Sequence, residues 1–71
     1  MSKEALKRAC VLAGGQKPLA DRIGTTQSQV WYWLSRSKRG APAEFVLRIE
    51  TATGVSRGEL RPDLWPEVAR A

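Results

Sequence analysis

The sequence predicts an all-α fold of five short helices, and three features carry that reading. Apolar residues recur three and four positions apart and never alternate with the period of a strand. Glycines close three of the apolar runs, at Gly14, Gly24 and Gly54, and glycine takes up the left-handed geometry that ends a helix. Two further helices open on capping patterns, Thr26-Gln27-Ser28-Gln29 and Ser56-Arg57-Gly58-Glu59. Each sets a hydroxyl three residues ahead of a Gln or Glu, so that side chain and backbone satisfy each other's orphan donors.

The first helix is expected from about Lys3 to Ala13, with Ser2 as N-cap and Leu6, Cys10 and Ala13 as its apolar stripe. The second is short, about Lys17 to Ile23. Pro18 is tolerated there because the first turn does not use its missing N–H. The third runs from about Gln27 to Arg36, with Val30, Trp33 and Leu34 pointing one way as i, i+3, i+4 neighbours. Ser37-Lys38-Arg39-Gly40 is a polar, basic loop. Pro42 opens the fourth helix, about Ala43 to Thr53, whose stripe is Phe45, Ile49 and Ala52, widened by Val46 and Leu47. A single fifth turn starts at Ser56 and ends near Leu60. Residues 61–71 are expected as an extended tail, because Arg61-Pro62-Asp63-Leu64-Trp65-Pro66 has two prolines in five residues.

Seventy-one residues suffice for one small domain, 1–71, and leave no room for a second core. A single cysteine and no histidine exclude an internal disulfide framework and a structural zinc site; Cys10 reads as a small buried thiol. No apolar stretch is long enough to span a bilayer, and the N-terminus lacks the pattern of a signal peptide. A cytoplasmic protein without membrane contact is the expectation. Seven scattered carboxylates, without a histidine or a positioned nucleophile, give no catalytic constellation and call for no cofactor or metal. Twelve Lys+Arg against seven Asp+Glu leave a net +5 and a pI near 10.2, the electrostatic footprint of a nucleic-acid binder.

The stretch Gln16–Ser35 meets the positional demands of a helix-turn-helix. Two helices crossing steeply need a small residue at the crossing, which Ala20 provides. The turn needs a residue at positive φ, which Gly24 supplies without steric cost. Leu19, Ile23, Val30 and Trp33 fall where side chains must be buried against the first helix. Six demands are thus met in order within twenty residues.

The outward face of the third helix is Gln27, Ser28, Trp31, Tyr32 and Ser35. In recognition-helix geometry the N-terminal residues of the second motif helix reach base edges in the major groove. Gln27 can bond an adenine edge in two places, and Ser28 suits either donor or acceptor. Tyr32, one turn on, reaches a base or a phosphate, and Gln29 has the alternative task of completing the cap. Trp31 has several readings: over the sugar-phosphate backbone, against a thymine methyl, or packed on the fourth helix.

Residues 16–40 hold Lys17, Arg22, Arg36, Lys38 and Arg39 against the single acid Asp21, a local charge of +4. Phosphate contacts fix register and supply most of the salt-dependent affinity. Gln16 and Lys17 stand at the start of the second helix, where N–H groups and the helix dipole favour an anion. Thr26, Ser35 and Arg36 flank the reading face, and Lys38 and Arg39 follow it on a loop able to meet the neighbouring backbone.

The motif, the proline-led fourth helix ending in Ile-Glu-Thr-Ala-Thr-Gly, and the following Glu-Leu-Arg-Pro-Asp-Leu-Trp-Pro together resemble the Cro/CI-type repressors. The resemblance covers about Leu6 to Pro66 and is greatest to the YdaS-like branch of prophage Cro-like regulators and antitoxins. It implies a lambda-repressor-like domain that binds palindromic operators, often as a dimer. It also implies that Thr26, Gln27, Ser28 and Tyr32 occupy base- or backbone-contacting positions. Trp31 departs from the family pattern, which has a small or polar residue there. The helical period of Ala43–Thr53 favours an all-α form over Cro proteins whose C-terminal part is stranded.

The leading expectation is therefore a repressor of duplex DNA sites, and the competing one an antitoxin that binds a partner toxin. One short recognition helix reads few base pairs, so a weak homodimer, or a monomer that dimerises on DNA, is expected. Leu64 and Trp65 either form the pairing surface or, in the case of Trp65, fold back on the chain's own core.

Overall fold

Five helices follow one another along the chain: α1 (Ser2–Ala13), α2 (Gln16–Ile23), α3 (Gln27–Ser35), α4 (Ala43–Thr53) and α5 (Arg57–Leu60). The computed structural model describes residues 2–66, and no strand occurs among them. The boundaries differ from expectation by single residues. Ser2 is the first residue of α1 rather than its cap, α2 takes in Gln16, and α3 stops at Ser35 with Arg36 as its C-cap. No helix among the described residues is long and apolar enough to cross a membrane.

α1 is the hub, in contact with each of the other four helices. The expected stripe of Leu6, Cys10 and Ala13 is buried, but so are Ala5 and Ala9. These small side chains let neighbouring helices approach the α1 backbone closely. The thiol of Cys10 sits in this apolar layer, and burial pushes its pKa up, as desolvation opposes the thiolate. Leu6, Leu19, Ile23, Val30, Val46 and Ile49 are the largest side chains closed off from solvent. Each contributes about 1.5–3 kcal/mol of transfer free energy.

The buried line of α4 is Val46–Ile49, not Phe45–Ile49–Ala52. Phe45 and Ala52 lie half-buried at the edge of the core, and Leu47 is exposed. Phe45 covers Trp33 of α3, with ring centres 5.3 Å apart and planes inclined by 42°, a tilted contact suited to two aromatic quadrupoles.

The segment after α5 turns instead of extending. The N–H groups of Leu64 and Trp65 both donate to the Arg61 carbonyl, at 3.0 and 3.1 Å. Trp65 folds back against the core under the guanidinium of Arg57, 5.9 Å from its ring centre, whereas Leu64 stays exposed. Arg61 is the buried charge of this region. Its Nη1 donates to the Ala41 carbonyl at 2.8 Å, and its Nε and Nη2 hold the Asp63 carboxylate at 2.9 and 2.7 Å. Residues 67–71 of the expected tail lie outside the described residues.

Two more ion pairs tie the small C-terminal helix down. Arg8 of α1 pairs with Glu59. Glu50 of α4 accepts from the Arg57 backbone N–H and from its Nε and Nη2. These hydrogen bonds hold the Glu50 carboxyl below its usual range.

Candidate nucleic-acid interface

The bend between α2 and α3 is built from backbone geometry. Gly24 adopts φ 78°, ψ 38°, and its N–H together with that of Thr25 donates to the Ala20 carbonyl. A side chain at this φ is strained, so glycine is required. Ala20, 1% exposed, lies at the crossing where bulk would part the helices. Thr26 then caps α3: its Oγ1 accepts from the Gln29 N–H at 3.2 Å. No reciprocal bond from the Gln29 side chain occurs among the described residues, so only the hydroxyl half of the capping box forms.

A cation from α4 completes the bend. Arg48 reaches the Ile23 carbonyl with Nη1 and lies 5.3 Å from the centre of the Phe45 ring. Sequence reasoning missed this contact, because nothing in the spacing of an exposed arginine announces a partner 25 residues away.

With α3 so fixed, its expected reading face comes together. Gln27, Ser28, Trp31 and Tyr32 line one shallow concavity of about 450 Å³ with Gln16 at the start of α2. Thr26, Ser28, Gln29 and Tyr32 line a second of about 300 Å³, so Ser28 and Tyr32 border both. Trp31 and Tyr32 are about half exposed. Of the readings open for Trp31, packing on α4 is not the one adopted: it borders the concavity beside Gln16, while Trp33 meets α4 through Phe45. Chemically, the first concavity offers two amides with donor and acceptor, two hydroxyls, and an indole with one N–H donor.

The cations divide into groups. Lys17 pairs with Asp21 one turn along, at 3.2 Å with both side chains exposed; such a pair is weak enough to yield to a phosphate. Ser35 and Arg36 stand exposed at the end of α3. Lys38 and Arg39 are exposed on a loop that Ser37 closes, its Oγ donating to the Gly40 carbonyl and accepting from the Gly40 N–H at 3.0 and 3.1 Å. Arg39 also helps hold the Asp63 carboxyl below its usual range, after the larger effect of the Arg61 hydrogen bonds. Arg22 lies apart from the reading face, lining another concavity with Leu47, Arg48, Thr51 and Ala52. Among the described residues Arg22, Arg36, Lys38 and Arg39 form no ion pair.

Comparison with known proteins agrees on one family. A family model described as "Bacterial toxin YdaS" matches residues 6–69. An Escherichia coli (strain K12) protein named "Putative transcriptional regulator YdaS" is 38% identical over 76 aligned positions, which take in all of this chain and 76% of the relative. No solved structure gives a significant match. The two descriptions differ on activity, but the matched span covers the bend, the reading face and the Arg61–Pro66 segment alike. The chain belongs to the YdaS family.

Proposed function

We propose that this protein is a sequence-specific DNA-binding transcriptional regulator, a Cro-like repressor of phage or prophage type that occupies a palindromic operator. One observation carries the reading: Gln27, Ser28, Trp31 and Tyr32 of α3 share one exposed concavity with Gln16 of α2, across a glycine-bent helix pair. In this role α3 lies in the major groove of duplex DNA, and those four α3 residues contact bases. Gln16, Lys17 and Thr26 meet the phosphates on one side. Ser35, Arg36, Lys38 and Arg39 meet them on the other. The named function of the E. coli relative supports the reading. Repression follows from occupancy alone and needs no chemistry. Its place of action is the cytoplasm of a bacterial or phage-infected cell.

Selection of bound sites from random duplexes tests this. The expected product is an enriched motif with two half-sites about one helical turn, ~10 bp, apart. Enrichment of no motif would refute it. The protein pairs weakly, or only on DNA, since Trp65 is engaged with its own core and Leu64 alone of the two remains exposed. Sedimentation should show a monomer at micromolar concentration without DNA, and a tight dimer there is the contrary result.

The word toxin in the family description supports a second reading, in which the chain works in a toxin–antitoxin pair by binding a partner protein. Val11 and Leu12, exposed on α1 and no part of the reading concavity, offer apolar surface for it, as do Leu47 and Leu64. Stable co-purification with the product of a neighbouring gene is what that reading requires.

A further inference from the structure

We infer that Trp31 reads the 5-methyl group of a thymine, giving the protein a preference for that methyl at one base-pair position in each half-site. The inference rests on the DNA-reading role proposed above and goes further, to the chemical group that the indole takes.

A tryptophan left 48% exposed keeps a large apolar surface in water. Its neighbours in the concavity are Gln16, Gln27, Ser28 and Tyr32, so side chains with polar groups border a ring that stays half open to solvent. Such an arrangement suits a ligand that is polar over most of its surface and apolar at one point. The floor of the major groove has that character. Its base edges present donors and acceptors throughout, and its one apolar group is the methyl of thymine.

Position on the helix favours this partner over the deoxyribose of the backbone, the other apolar surface of DNA. Trp31 stands one turn after Gln27 on the same face and shares its concavity. Of the cations suited to phosphate, Arg36, Lys38 and Arg39 come only after α3 has ended, and Lys17 on α2 does not line the concavity that holds Trp31. Four residues of helix advance about 6 Å, within about two base-pair steps of 3.4 Å. An adenine edge taken by Gln27 and a thymine methyl taken by Trp31 therefore fit in one half-site, with Ser28 and Tyr32 bordering them.

Replacing thymine by deoxyuridine removes the methyl and nothing else. Each thymine of the selected site is replaced in turn, and affinity is measured for the wild-type protein, Trp31→Ala and Trp31→Phe, with a thermal melt of each protein alongside. At one position per half-site the wild type should bind the uracil duplex about three- to fivefold more weakly, the worth of one buried methyl group. Trp31→Ala should bind both duplexes equally, and Trp31→Phe should retain part of the difference. The inference is overturned if no uracil weakens wild-type binding, a result that needs no variant to fold. It is also overturned if Trp31→Ala discriminates as strongly as the wild type. A wild-type protein that binds duplex DNA but ignores the methyl leaves the regulator reading standing, whereas one that selects no duplex removes both.

Discussion

Arg48 donates from Nη1 to the main-chain carbonyl of Ile23 at 3.0 Å, linking α4 to the last turn of α2. That carbonyl is among the acceptors a helix end leaves without an intrahelical partner. The same guanidinium lies over Phe45, and Phe45 lies against Trp33 of α3. One side chain thus sets the end of α2, the bend and the tilt of α3 together. Arg48→Ala should destabilise the fold by about 2 kcal/mol, the low end of the sum of a charge-assisted hydrogen bond and an exposed cation–π contact, as read by denaturant unfolding. Amide exchange should quicken at Gly24 and Thr25, whose N–H groups bond the Ala20 carbonyl, more than in α1.

The bend makes a second prediction through two glycines. Both Gly24 and Gly54 have φ near +80°, so alanine at either costs about 1–2 kcal/mol in backbone strain. A Cβ at Gly24 would also come within 3.2 Å of Arg48 Nη1, while one at Gly54 meets nothing within 4 Å. Gly24→Ala should therefore be the more destabilising in thermal melts. In an Arg48→Ala background the two should become equal.

Most of the helix-turn-helix was legible because it rests on local rules. Gly24 must supply a positive φ, Ala20 must be small, and Thr26 must cap, and each demand falls on a residue type that sequence shows directly. The long-range polar contacts were not legible. Arg48, Arg61 and the Glu50–Arg57 pair are long side chains whose partners are backbone carbonyls or charges set by tertiary structure. Their apolar stems and charged heads look the same in sequence whether solvated or engaged. The same limit explains α4, where a stripe of five apolar residues fits more than one rotation, and packing chose Val46 and Ile49 over Phe45. The exposed indole of Trp31 stood out as a departure from the family pattern, yet its environment came only from the fold.

Arg61 is 7% exposed and spans two segments. Arg61→Met keeps the stem but strands the Ala41 carbonyl and frees Asp63; a loss of about 2 kcal/mol is expected. Arg61→Lys should recover only part of it, because an ammonium cannot present the planar fork that holds both Asp63 oxygens. Asp63→Asn should cost less than either, since Asp63 is half exposed. Urea titrations of the three variants rank them.

Acid should weaken the fold through Glu50 and Asp63. Both carboxyls are held below their ordinary values of 4.5 and 3.8 by arginine hydrogen bonds. The folded chain therefore binds fewer protons than the unfolded one in this range, and stability falls as protons are added. The loss should begin as pH drops through about 4.5 and continue to below the depressed folded values. Glu50→Gln should flatten the upper part of that decline in melting temperature against pH.

If α3 reads bases while the loop after it holds phosphate, substitutions in the two must weaken binding in different ways. Affinities of wild type, Gln27→Ala and Lys38→Ala are taken on the selected site and on each of its single base-pair variants, across a series of salt concentrations. Gln27→Ala should lose about 1–3 kcal/mol on the selected site and become indifferent to one base pair in each half-site. Lys38→Ala should weaken every duplex alike and lower the salt slope by about one. Uniform weakening by Gln27→Ala, or wild-type affinity that ignores salt, would show that α3 does not read bases or that the loop does not hold phosphate.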